Sequence, residues 1–155
     1  KYLICYFEGM TFFTRLIEGE YIDYDRIILK THKINITVDR DRLLSALERA
    51  AVVTEEKIAG SNRTPLRFNP EGDLLKIMAQ SSAGSSYDEL EIEHTGDDIL
   101  ISFNNRYLID AVRSCECERM RIEMTTPFTS INIIPLDLEE GSEEVFFLLP
   151  VKTKN

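Results

Sequence analysis

Residues 33–51 read KINITVDRDRLLSALERAA. Ile34, Ile36 and Val38 alternate with Asn35 and Thr37, the period of two that marks a strand with one buried face. The period then changes. Leu43, Leu44, Leu47, Ala50 and Ala51 recur at helical spacing, and Asp39 stands where a side chain can accept from the first free helix amides. A strand that feeds a helix, in a chain that continues into several more strands, indicates an α+β domain.

Downstream, Pro65–Phe68, Leu74–Ala79, Tyr87–His94 and Ile99–Phe103 read as strands, punctuated by the turn formers Asn69-Pro70-Glu71-Gly72, Ala83-Gly84 and Thr95-Gly96-Asp97. A second helix starts at Asn104-Asn105, both good capping types. Its apolar side is Tyr107, Leu108, Ala111, Val112 and Cys115, and it ends near Glu116. Arg119–Met124, Phe128–Ile134 and Val145–Val151 read as the closing strands. From Lys33 the order is strand, helix, four strands, helix, three strands: eight strands and two helices, with no second copy of the unit in the chain. Upstream, Tyr2–Phe7 and Met10–Ile17 flank Glu8-Gly9 as a hairpin. An isolated hairpin is marginal in water, so the chain reads as a fragment that begins inside a domain. Glu18–Lys30 has no clear period and reads as a connecting segment.

The 155 residues suit one domain with a short extra piece, and 43% hydrophobic with 29% charged residues is a globular composition. No apolar run approaches the ~20 residues of a membrane span, and Lys1–Gly9 lacks the layout of a signal peptide, so nothing points outside the cytoplasm or to a membrane. Three cysteines, with Cys115 and Cys117 too close for a conventional staple, fit a reducing compartment. The net charge of -9 repels a phosphate backbone on average. Nucleic-acid binding therefore depends on whether the basic minority gathers on one face.

Two features carry candidate function. Arg42 and Arg49 stand seven residues apart on the first helix, as do Arg106 and Arg113 on the second, and a step of seven returns to nearly the same face. Arg40 extends the first stripe, while Asp110 lies within the second. The plain reading is a solvated helix surface. The sharper one is a sequence-independent contact for DNA phosphate, because arginines without interleaved aromatics suit the backbone better than base edges or stacked bases. The second feature is the run Phe146-Phe147-Leu148-Leu149-Pro150-Val151. Core packing is its ordinary explanation. Pro150 cannot donate to a ladder, so the strand leaves the sheet or lies at an edge there, and side chains beyond it can line a groove.

No motif favours an enzyme. His32 and His94 have no ligand-spaced partners, and Cys115-Glu116-Cys117 lacks both the second pair of a zinc ribbon and the gap of a redox motif. The glycine-containing stretches 83–86 and 140–142 lack the spacing of a phosphate loop, and the acidic clusters at 116–118 and 137–144 read as solvated loops. The sequence calls for no metal and no cofactor.

Three segments, in this order, carry a resemblance: Thr11–Ile28 (TFFTRLIEGEYIDYDRII), Phe103–Asp110 (FNNRYLID) and Leu148–Thr153 (LLPVKT). They resemble the bacterial DNA polymerase III β-subunit family, the sliding clamps: the end of the middle domain with its connector, the start of the last helix, and the C-terminal strand and tail. Ile22 stands where the family usually has Pro, and Lys152 where Arg is common. The resemblance implies a DNA clamp fold, with residues 1–31 as the last hairpin of the middle domain plus connector, and residues 32–155 as the C-terminal clamp domain.

The same resemblance implies a non-catalytic processivity factor of the replicative polymerase. Full length, it closes into a homodimer ring around duplex DNA and tethers polymerase, clamp loader and repair proteins through their short linear motifs. By position it implicates Ile22, Arg26, Ile27, Asn104, Tyr107, Phe128, Ser130, Phe147, Leu149, Pro150, Val151 and Lys152 in a peptide-binding pocket, with Phe128 and Ser130 on a strand. It turns Arg40, Arg42, Arg49, Arg106 and Arg113 toward DNA. It places Val52, Val53, Asp88 and Glu89 at the subunit interface, although this fragment alone is expected to stay monomeric or to make only a non-physiological contact. Two rivals stand beside it. A generic protein-interaction domain without a DNA role is favoured if Arg42, Arg49, Arg106 and Arg113 prove scattered or neutralised by acids. A metal-dependent hydrolase requires Asp, Glu and His converging on a cleft.

Overall fold

The hairpin expected at the start of the chain forms from β1 (Tyr2–Phe7) and β2 (Met10–Arg15), antiparallel with Phe7 opposite Met10. The turn between them sets both Glu8 and Gly9 at positive φ, 38° and 82°, the geometry that matches the twist of a two-residue hairpin. In this computed structural model, which describes residues 1–28, 30–54, 64–82 and 84–152, none of residues 1–28 is buried. Leu29, Ala83 and Thr153, which fall in segments read above, lie outside the described residues. The connector is irregular apart from a single 3-10 turn, Tyr24–Arg26, where Arg26 pairs with Asp23 at 2.9 Å.

β3 (Ile34–Asp39) buries Ile34, Ile36 and Val38 and runs directly into α1 (Arg40–Thr54). Asp39 Oδ1 accepts from the Arg42 amide at 2.8 Å, satisfying one of the free donors of the first turn. The chain continues through β4 (Leu66–Glu71), β5 (Leu74–Gln80), β6 (Ser85–Glu91), β7 (Glu93–Thr95) and β8 (Ile101–Phe103). Then come α2 (Asn105–Ser114), β9 (Arg119–Met124), β10 (Ile131–Pro135) and β11 (Phe146–Leu148). Apart from the hairpin, the strands form two antiparallel sheets, ordered β11-β10-β9-β3-β7 and β6-β5-β4-β8.

One cluster of buried apolar side chains draws on both sheets and both helices. Phe68 on β4 and Phe103 on β8 meet edge to face within it, ring centres 5.8 Å apart. The helices run antiparallel, and polar contacts fix their ends. Arg40, at the start of α1, donates to the carbonyls of Val112 and Arg113 at the end of α2, at 3.3 and 3.0 Å. At the opposite end, the buried Asn105 amide donates to the Leu47 carbonyl and Thr54 Oγ1, at 2.9 and 3.2 Å. The α+β architecture read from the sequence is the one observed.

Local boundaries differ most from the expectation in three places. The span Tyr87–His94 is divided at Ile92, whose amide turns to the Asp73 carbonyl at 3.0 Å, so β6 joins one sheet and β7 the other. Phe128 and Ser130 are not on a strand, because β10 begins only at Ile131. The Thr126 amide and hydroxyl both donate to Thr129 Oγ1, at 3.2 and 3.1 Å, and the Phe128 amide donates to Thr126 Oγ1 at 3.3 Å. These bonds close a threonine turn that competes with the ladder. The last strand pairs only over Phe146–Leu148; Pro150 falls beyond it, and β11 is itself an edge strand.

Candidate functional site

Two surfaces gather the residues singled out by the sequence: the outer side of the helix pair, and the tail that follows β11. On the first, α1 presents Arg42 and Arg49 and α2 presents Arg106 and Arg113, all exposed. Arg40 must be removed from this set. Its guanidinium is spent on the last carbonyls of α2, the negative end of that helix's dipole, and on Asp41 at 2.7 Å. It fixes the helix packing and does not extend a stripe.

Three of the remaining arginines have acidic partners. Arg42 lies 3.7 Å from Glu91, and Arg113 lies 2.8 Å from Glu48. Arg49 grips Asp88 with Nε at 3.1 and 3.2 Å from the two carboxylate oxygens and Nη2 at 2.6 Å from Oδ1. Hydrogen bonding to Asp88 raises the Arg49 pKa above its ordinary value. Arg106 lines a shallow cavity of about 540 Å³ between the helices, with Glu48, Ala51, Ile109, Asp110 and Arg113. The surface is therefore one of alternating charge. The Arg42–Glu91 and Arg113–Glu48 pairs are exposed on both sides, and such pairs contribute only about 0–1 kcal/mol, so a phosphate oxygen can compete for their guanidinium groups; Asp88 is half-buried, and its pair with Arg49 is the firmer one.

At the second surface, the Val151 amide donates to the Ser102 carbonyl at 2.7 Å. The chain thus leaves β11 in one sheet and bonds to β8 in the other, next to the start of α2. Asn104 caps that helix, its Oδ1 accepting from the Arg106 amide at 3.2 Å. Tyr107, in the first turn, is 58% exposed, and Leu149 in the tail is 64% exposed. Phe147 stands opposite Asn132 on β10 and is also exposed. The tail therefore sets apolar side chains in water beside the first turn of α2. Of the other residues implicated, Phe128 is exposed in its threonine turn, Ser130 is buried, and Pro150 and Lys152 lie along the tail. Ile22, Arg26 and Ile27 are exposed on the connector, and among the described residues no hydrogen bond ties them to the tail.

At the expected subunit interface, Val52 is 81% exposed, whereas Val53 is buried in the core. Successive helical residues point about 100° apart, and here that step turns Val52 to solvent and Val53 into the core, so Val53 is withdrawn from the interface set. Asp88 is engaged by Arg49, and Glu89 accepts from the Tyr87 hydroxyl. Their strand, β6, is the edge strand of its sheet.

Both histidines and Cys115 are held in contacts within the fold. His94 Nδ1–H donates to the Gly72 carbonyl at 2.8 Å. His32 sits among Thr125, Asn132 and Glu123, a polar cluster that no sequence spacing announced. Burial pushes the Cys115 thiol up to about 12, which keeps it protonated and unreactive. Among the described residues, no group of three or more His, Cys, Asp or Glu side chains is placed to hold a metal, and no helix is long and apolar enough to cross a membrane.

Residues 25–145 match the family described as DNA polymerase III beta subunit, C-terminal domain. Among similar proteins is the beta sliding clamp of Streptococcus pneumoniae serotype 4, 28% identical over 147 residues, covering 94% of this chain and 38% of that protein. The beta sliding clamp of Lactococcus lactis is 31% identical over 153 residues, with 94% and 38% covered. Among solved structures, the DNA polymerase III beta chain of Streptococcus pneumoniae superposes with a TM-score of 0.85 at 26% identity, covering 97% of this chain and 39% of that one. The beta subunit from Thermotoga maritima superposes with a TM-score of 0.80 at 26% identity, covering 92% and 37%. The chain spans 38% of the length of the first of these relatives. With a family match from residue 25 to residue 145 and the same fold throughout, the chain belongs to the DNA polymerase III beta subunit family.

Proposed function

We propose that the chain serves as the C-terminal part of a sliding clamp, a non-catalytic processivity factor that holds polymerase, clamp loader and repair proteins on duplex DNA in the cytoplasm. Residues 1–31 belong to the middle domain and its connector, and residues 32–155 form the C-terminal domain. In the complete homodimer ring, the helix pair faces DNA through Arg42, Arg49, Arg106 and Arg113. The edge of β6, with Val52, Asp88 and Glu89 nearby, meets the neighbouring subunit.

The observation that carries this reading is the crossing of the tail from β11 to β8 through the Val151 to Ser102 bond. It anchors the tail that carries Leu149 and Val151 on β8, two residues before the cap of the helix that carries Tyr107, and apolar side chains on a fixed backbone near a helix start suit a short peptide with apolar anchors. Phe147, Asn104, Pro150 and Lys152 border that position. Ile22, Arg26, Ile27, Phe128 and Ser130 complete it on the connector side.

The test is titration of a fluorescent peptide bearing a clamp-binding motif into the wild-type chain, Tyr107→Ala and a chain ended after Leu148. Saturable binding is expected, weakened at least about tenfold in both variants, the scale of an aromatic anchor at an interface. Equal affinity for all three proteins would refute the tail and Tyr107 as the peptide site.

One observation favours a protein-interaction domain without a DNA role: Arg42, Arg49 and Arg113 are each matched by a carboxylate. Exposed pairs of this kind attenuate phosphate binding without abolishing it. Weak, sequence-independent attraction is also what a protein that slides along DNA requires, since a tight grip would stop it.

A further inference from the structure

We propose that Asn105 is a positioning residue for the peptide site: its buried amide, tied to the end of α1, sets the rotation of the first turn of α2 and so the place of Tyr107. This inference rests on the reading that Tyr107 and the tail form that site. The sequence suggests only a capping role for Asn105, but the cap is Asn104, and Asn105 is the first residue of the helix proper. It is 2% exposed. Its Nδ2 donates to the Leu47 carbonyl at 2.9 Å and to Thr54 Oγ1 at 3.2 Å, while its Oδ1 is buried without a hydrogen-bond partner among the described residues. A buried acceptor left unpaired costs stability.

Asn105 is therefore a poor choice for stability alone, and what it supplies is direction. The apolar contacts of Leu108, Ile109 and Val112 tolerate a small rotation of α2 about its axis, whereas two hydrogen bonds of fixed length and angle do not. Two helical steps of about 100° separate Asn105 from Tyr107, so Tyr107 points to nearly the opposite side of α2, into water. Holding the inner face holds the outer one. A rotation of the helix start would carry the Tyr107 ring with it, while the tail, bonded to Ser102 ahead of the cap, stays where β8 keeps it. The far end of α2 is pinned separately by Arg40, so loss of the Asn105 bonds loosens only the start.

The experiment sets affinity for the fluorescent peptide against thermal stability, for the wild-type chain and for Asn105→Val, Thr54→Val, Thr54→Ser and the double valine variant. Asn105→Val removes the donor and the unpaired acceptor together, so its melting temperature should change little while peptide affinity falls about fivefold, the scale of one hydrogen bond. Thr54→Val, close in shape to threonine, leaves the Leu47 contact in place and should weaken binding about twofold. Thr54→Ser keeps the hydroxyl and should restore the wild-type affinity. The double variant should bind no more weakly than Asn105→Val, because both changes remove one shared contact. The ring-proton resonances of Tyr107 should shift in both valine variants and not in Thr54→Ser.

Unchanged peptide affinity in Asn105→Val, with binding still weakened in Tyr107→Ala, would overturn the positioning role and leave the site standing. A loss of affinity that tracks a large fall in melting temperature in both valine variants would assign Asn105 to the fold alone, with the same result. Absence of saturable binding by the wild-type chain, or binding indifferent to Tyr107→Ala, would overturn both the positioning role and the site it serves.

Discussion

Replacing Phe103 with alanine is expected to destabilise the domain by about 4 kcal/mol, within the range of buried Phe truncations. Phe103 is fully buried, and its ring stands at 83° to that of Phe68, so the variant loses an edge-to-face contact as well as the burial itself. Its place in the chain limits relaxation. Phe103 ends β8, and the next residue, Asn104, caps α2, so a collapse into the vacated space would drag the helix start with it. Urea titration should show a lower midpoint with an unchanged slope. A loss below about 1 kcal/mol would mean that the two sheets close the cavity freely, contrary to this packing.

Gly96→Ala should cost about 3 kcal/mol, combining a left-handed backbone penalty with overpacking. Gly96 has φ of +100°, and a Cβ there would stand 2.3 Å from the Lys33 carbonyl oxygen and 2.9 Å from Ile34 Cα. Both obstacles are backbone atoms at the start of β3, which cannot move without disturbing its pairing with β7 and β9. Gly72→Ala isolates the conformational part. Its φ is +56°, but nothing lies within 4 Å of the added carbon, so a cost of only about 1 kcal/mol is expected. Equal losses at the two positions would contradict the proposed clash.

These elements differ in how far the sequence revealed them. β3 and α1 were legible because their periods of two and 3.6 are set by which face each residue buries, and the two signals abut without overlap. The division at Ile92 was not. Leu90, Ile92 and His94 keep one parity, so alternation continues across a point where tertiary hydrogen bonding moves the chain from one sheet to the other. Phe128 read as the start of a strand, while the deciding groups were the flanking threonine hydroxyls.

At the candidate site, seven-residue spacing correctly put Arg42 with Arg49 and Arg106 with Arg113 on exposed helix faces. It could not reveal Asp88, which reaches Arg49 across 39 positions of sequence. Nor could it exclude Arg40, whose partners are backbone carbonyls on the other helix and carry no side-chain signature. The carry-over by family resemblance named Val53 beside Val52, and only the helical rotation between neighbours separates the buried residue from the exposed one.

The path of the chain between the sheets also governs how the domain comes apart. A continuous run passes from β6 in the four-stranded sheet to β7 in the five-stranded one, and the tail returns from β11 to bond with β8. Each sheet therefore holds chain that the other needs. A fluctuation that opened one alone would strain both crossings and release little chain, so the sheets are expected to open as a single cooperative unit, with their core amide protons exchanging through that shared opening. The β1–β2 hairpin shares no such crossing and buries no residue, so its amides exchange through local openings that leave the two sheets intact.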